Sequence, residues 1–352
     1  FIKDTPLFQQ LERRLSLRGI DLVEWAPVAE PNPPPLTTLN PDGSRPVVYA
    51  VLSPDSSTAA PRPGDLSGAQ RASRLGEAIA SVASSGRSLL VSLNPSVLPT
   101  YGERDPITAP LQRWGLYAET GRPLLREQIT QRGRVIEEDR TIVPTPKGHP
   151  ISDAVVGLPV RLPWPIPVFE KIGEDGTRLK ATTLLELPRA EDTWGESQWL
   201  RLWQTPRDQR ALLPDAPAPD PARDAVTPEG ERGVLDAWPV AVAAERFEVG
   251  LPAQRLVVVG SNAWFSDPVT QSQIDAGGRM VAAYPGNLEF FEAAVSWLAG
   301  QESLIAQSAI ARAAPLVRPL DGETLRNLRL GVIAGLPLSV LLIGLLYRLI
   351  RG

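Results

Sequence analysis

The run LGVIAGLPLSVLLIGLLY, residues 330–347, carries no charge, and its only hydroxyls are those of Ser339 and Tyr347. A helix of that length, at about 1.5 Å per residue, extends about 27 Å and matches a bilayer core of about 30 Å. The run therefore predicts a transmembrane helix over 330–350, preceded by a juxtamembrane linker over 311–329, with residues 1–310 as the bulk domain. Pro337 is tolerated in lipid, and Gly331 with Gly335 forms a small-x3-small patch that another membrane helix can approach. Arg326 and Arg329 before the run balance Arg348 and Arg351 after it, so local charge does not set orientation.

With 352 residues the chain is long enough for a sizeable core, in one lobe or two. Its 36 basic and 40 acidic residues form no long block of one sign, which argues against nucleic acid as a partner. Cysteine is absent and histidine occurs once, at His149, so thiolate chemistry is excluded and imidazole chemistry is confined to one position. The chain begins at Phe1 rather than Met, which points to an upstream segment outside this sequence.

VVYAVLSP (47–54) and SLLVSLNP (88–95) read as strands apolar on both faces. Between them, 67–85 places Leu75, Ile79 and Val82 on one face of a helix. Strand, helix, strand of this kind is the pattern of a mostly parallel sheet flanked by helices, an α/β fold. The loop after Pro95 then falls at the carboxyl edge of the sheet, where such folds bind ligands. Thr5 and Pro6 mark a helix start, Gly19 its end, and Ile20–Trp25 a short strand. Further strands are expected near 182–186, 238–247 and 255–265. Short helices are expected over 108–114 and after Pro150, and an amphipathic helix over 286–300. The segments 31–45 and 211–232 are proline-rich and poor in large apolar residues, and are expected to be flexible loops.

Several stretches invite a chemical reading. Gly260 in VVVGSNAWFSD follows a buried strand, but its spacing fits neither a dinucleotide nor a phosphate-loop fingerprint. Ser261 and Ser266 lie outside a G-x-S-x-G elbow, and only His149, near Asp153, could serve either, so a hydrolase is the least supplied reading. The acidic clusters at 137–139 and 190–192 lack metal-ligand spacing, and no cofactor or metal is expected. Trp164, Trp194, Trp199 and Trp203 are close in sequence, and the last three are candidates for a recognition face for glycan or protein.

Taken in order, HPISDAVVGLPVRLPWP, RLVVVGSNAWFSD, GNLEFFEAAVSWLAGQESLI and the terminal apolar run, with VVYAVLSP and GRSLLVSLNP in the first half, resemble the GldG-like family. Its members are auxiliary components of gliding-motility-type ABC transport systems. The resemblance implies a glutamine-amidotransferase-like architecture without a catalytic set. It also implies a location at the bacterial inner membrane with the bulk periplasmic, and an ABC permease with its cytosolic ATPase as partners. Other envelope proteins and the lipid bilayer are further expected contacts, and Gly331 and Gly335 are the expected contact to the permease. On this reading the protein is a non-catalytic coupling subunit. An independent envelope glycan- or protein-binding module and a serine hydrolase are the alternatives.

Overall fold

Ser67 opens the first long helix by a reciprocal cap: its hydroxyl accepts from the Gln70 amide while the Gln70 side chain accepts from the Ser67 amide. Such a box satisfies two of the donors that a helix start leaves unpaired. In the computed structural model, which describes residues 5–35, 40–130, 133–170, 179–206, 209–210, 236–247, 253–305, 333 and 351, this helix joins the first two strands of a central sheet.

The elements of the first half are α1 (Gln9–Leu17), β1 (Val48–Leu52), α2 (Gly68–Ser84), β2 (Ser88–Ser92), β3 (Leu116–Ala118), β4 (Leu124–Thr130), β5 (Gly133–Glu137), β6 (Asp139–Ile142), α3 (Pro150–Ala154), β7 (Val160–Pro163) and β8 (Val168–Glu170). They are followed by β9 (Leu179–Pro188), β10 (Thr193–Gly195), α4 (Leu200–Gln204), β11 (Ala237–Arg246), β12 (Gln254–Val259), α5 (Asp267–Thr270), β13 (Gln273–Asp275), β14 (Met280–Ala282), α6 (Gly286–Leu298) and α7 (Glu302–Ile305). The expected helix at 108–114 is a 3-10 turn, Ala109–Trp114, closed by Gly115 in the left-handed region. The polar stretch after it, in which no element was expected, supplies β3 to β6.

The central sheet has the order β1-β2-β12-β11-β9. β1, β2 and β12 run parallel, whereas β11 and β9 are antiparallel to their neighbours. The smaller ladders, β10-β4-β5, β13-β14, β3-β8 and β6-β7, are antiparallel throughout. The expected mostly parallel, amidotransferase-like sheet is therefore corrected to a mixed α/β fold of several sheets in which antiparallel pairing predominates. Continuous apolar runs such as VVV in β12 and AVAA in β11 report burial on both faces. They do not report strand direction, which the connections and neighbours decide.

One face of the sheet packs Leu90, Val257 and Val259 against α1 and α6, through Leu11, Leu15, Phe290 and Trp297. The other packs Leu89, Val91 and Val258 against α2 through Ile79 and Val82. α6 opens at Gly286, where a side chain would strike Val160 and the Pro159 carbonyl, and ends before Gly300 (φ 70°).

The chain divides into two units, Phe1–Ala313 and Ala314–Gly352. Among the described residues no helix is long and apolar enough to cross a membrane. Of the expected span 330–350, only Ile333, which is 72% exposed, is described. The expected transmembrane helix, and the inner-membrane location built on it, are corrected accordingly. An apolar count measures compatibility with lipid but does not by itself specify a helix. Gly331 and Gly335, the linker 311–329 and the loop 211–232 lie outside the described residues.

Candidate functional site

The carboxyl edge of β1, β2 and β12 is polar and closed on itself. Asn262 brackets Ser53, accepting from its amide (3.1 Å) and donating to its carbonyl (3.1 Å), and Asn94 donates to the same carbonyl (2.9 Å). Ser56 donates to Ser96 (3.3 Å) and accepts from the Val97 amide (3.1 Å). Asp105 is buried and accepts from the Ile107 amide (2.9 Å). Burial raises its pKa, while that amide and the Thr120 and Ser96 hydroxyls favour the charged form. Most of these groups are hydrogen-bonded to one another, while the buried Thr120 hydroxyl has no partner within hydrogen-bond geometry.

Gly260 ends β12 in a backbone crossing rather than in an anion-binding turn. Its amide donates to the Val240 carbonyl (2.7 Å), its carbonyl accepts from the Ile166 amide (2.6 Å), and an added Cβ would lie 1.9 Å from the Ile166 oxygen. The two serines that follow are also committed: Ser261 donates to the Pro163 carbonyl (2.6 Å) and Ser266 to the Ala263 carbonyl (2.7 Å). His149 sits elsewhere, capping α3 by accepting from the Ile151 amide (3.3 Å) and lying edge-on to Trp297 at 4.9 Å. Burial, with Lys180 nearby, lowers its pKa to about 4. The structure thus does not bring His149 to either serine. The acidic clusters enter ion pairs, Glu138 with Arg210 (2.7 Å), Asp139 with Arg161 (2.5 Å) and Asp192 with Arg126 (2.7 Å).

The tryptophans assemble differently from the expected recognition face. Trp194 and Trp199 are buried, at 2% and 1% exposure, and the Trp194 indole donates to Glu196 (2.9 Å). Trp199 instead forms an edge-to-face triad with Trp164 and Trp203, with ring centroids 5.1 to 6.2 Å apart. Trp164 has a left-handed backbone (φ 48°), and the Arg210 guanidinium lies 5.8 Å from its ring. The half-buried Trp203 donates to Asp55 (3.1 Å), tying α4 to the loop after β1. The three rings of this triad pack against one another, with Trp199 buried and Trp164 and Trp203 half-buried.

One opening among the described residues was not expected from sequence. A groove of about 1350 Å³ runs along the outer edge of β1, between α2 (Leu75, Ile79) and α6 (Phe291, Val295), under the segment Ile20–Trp25. Among its lining charges Arg18 pairs with Glu292 and Arg45 with Asp21, whereas Asp55 is held by the neutral Ser57 and Trp203, and Arg71 by the Thr58 hydroxyl and the Leu66 carbonyl. At one wall Arg14 bridges Glu289 and Glu292. Burial works against its charge, but the two carboxylates more than offset this and raise its pKa. The sequence signal was present: Ile20–Trp25 was expected as a strand, yet it forms no ladder with β1, and the space between them is left open.

No family model matches the chain, and no curated protein matches it. Among solved structures it is similar to the mmIFT52 N-terminal domain, at 13% identity over 85% of this chain and 92% of that one, with a TM-score of 0.42. An overlap that low supports no conclusion about fold or function.

Proposed function

We propose that the protein is a non-catalytic docking subunit, and that the groove beside β1 receives its partner. The observation that carries this reading is the groove itself: a largely apolar channel of about 1350 Å³ beside a sheet edge with which no described strand pairs. A concave apolar surface of that size is a place where a macromolecule can bury area. The commitment of Ser261, Ser266 and His149 to structural hydrogen bonds supports the non-enzymatic half. The resemblance of HPISDAVVGLPVRLPWP and GNLEFFEAAVSWLAGQESLI to the GldG-like family supports an ABC-type transport assembly as the setting, with a permease and its ATPase as partners.

The test is gentle purification of the epitope-tagged full chain from its native cells, with mass-spectrometric identification of what accompanies it. A permease and an ATPase are expected with the wild type. Their yield should fall sharply for Leu75→Trp, which fills the groove from α2. Recovery of neither protein with the wild type would refute the transport setting, and undiminished recovery with Leu75→Trp would refute the groove as the docking site.

A further inference from the structure

We infer that the partner enters the groove as an extended, uncharged, apolar chain segment that adds to β1 as a sixth strand of the central sheet; this rests on the docking reading above. Hydrogen-bond direction along β1 settles which groups are available. The Ser53 amide donates to the Ser92 carbonyl on β2, and the Leu93 amide donates onward to Val259 on β12. Backbone groups alternate sides along a strand, so Tyr49 and Val51 also face β2, while Val48, Ala50 and Leu52 point their amides and carbonyls outward into the groove. None of these outward groups has a hydrogen-bond partner among the described residues, and Ala50 is exposed. A bare strand edge is a template for another extended chain.

The side-chain environment narrows the occupant. An added strand would present alternate residues to the two faces of the sheet. On one face it would meet Phe291 and Val295 of α6, and on the other Leu75 and Ile79 of α2. Both faces are apolar, so the complementary segment is apolar at successive positions, like a buried strand, and carries no charge, which such faces would have to desolvate. The molecule's own Ile20–Trp25 outlines the geometry. Ile20 and Leu22 pack against the core on the α6 face and Trp25 against the core on the α2 face, the alternation of a strand, while its backbone stands away from β1.

The test uses the full chain with a blocked peptide of alternating valine and alanine, carrying two leading lysines for solubility, and with a counterpart N-methylated at alternate residues. The N-methyl groups remove backbone donors and leave the side chains intact. Binding of the first peptide should slow hydrogen exchange across residues 47–53, and the N-methylated peptide should bind at least tenfold more weakly. Ala50→Pro removes one outward donor without touching the β1–β2 ladder, and should also weaken binding at least tenfold at an unchanged melting temperature. Equal binding of the two peptides to the wild type would overturn strand addition, whether or not Ala50→Pro folds. With the native partner, loss on Leu75→Trp but not on Ala50→Pro would overturn strand addition while leaving groove docking intact, and loss on neither would overturn both. A concentration-dependent dimer of the wild type, abolished by Ala50→Pro, would assign the edge to a second copy and overturn the inference for a partner segment.

Discussion

Asn287 is a buried polar residue that ties α6 to the rest of the core. It is fully buried, and its amide nitrogen donates to the carbonyls of Arg161 (2.7 Å) and Trp264 (2.5 Å), while its oxygen accepts from the Arg161 amide (2.9 Å). One side chain thus pins the first turn of α6 to β7 and to the loop after β12. Asn287→Leu keeps the volume and strips three backbone groups of a partner. An unsatisfied buried group costs roughly 1–3 kcal/mol, and the half-buried Arg161 can recover part of that from water, so the expected loss is about 3–5 kcal/mol. That is a large share of the roughly 5–15 kcal/mol by which domains are stable, and for a chain of this size it corresponds to a fall in melting temperature of about 4–8 °C. Asn287→Asp should be worse at neutral pH, since a carboxylate oxygen then faces two carbonyl oxygens. Protonation near pH 4 should restore part of the loss, because the acid can donate one bond. The assay is urea unfolding followed by tryptophan fluorescence, to which the buried Trp264 contributes beside the altered site. A loss under about 1 kcal/mol for Asn287→Leu, or an aspartate variant with no recovery in acid, would refute this hydrogen-bond reasoning.

Gly260→Ala must push the Ile166 carbonyl well over an ångström from its present place and disturb the two backbone bonds at this crossing. A loss of about 3 kcal/mol or more is expected by thermal melting, and a loss within about 1 kcal/mol would show that the crossing can relax. His149, whose folded pKa of about 4 lies below the unfolded value, is protonated more readily in the unfolded chain. Its stabilising neutrality is therefore present above the unfolded pKa of about 6.5 and is lost as pH falls towards 4, by at most about 3 kcal/mol. Asn at 149 retains a capping oxygen and does not titrate, so the difference between wild type and His149→Asn should shrink or reverse as pH is lowered through that window. A difference independent of pH would count against the argument. Asp105 has the opposite sign: burial raises its pKa, so its contribution to stability is greatest when it is protonated and is lost as pH rises through the folded value. Asp105→Asn keeps the oxygen that the Ile107 amide uses, and should be more stable relative to wild type at pH 8 than at pH 4, as chemical denaturation at the two pH values can read directly. Equal effects at both would refute it.

Sequence alone determined those elements whose signal is local. The β1-α2-β2 unit was legible because Leu75, Ile79 and Val82 repeat at helical spacing and the flanking runs are too apolar to lie anywhere but in a core. The α6 helix was legible for the same reason. Tertiary structure alone decided strand direction, since β11 and β12 are equally apolar whichever way they run, and it assigned the tryptophans, since neighbours in sequence do not say which rings face solvent. It also decided what Ser261, Ser266 and His149 do, because hydroxyl and imidazole groups carry the same chemistry in a hydrogen-bonded crossing as in a site. The groove beside β1 belongs to the same class. Ile20–Trp25 has the alternation of a strand, but whether a strand finds a partner depends on where the rest of the chain places its edge. Propensity and periodicity act between residues close in sequence, whereas pairing, burial and the space left between elements are set by contacts that bring distant residues together.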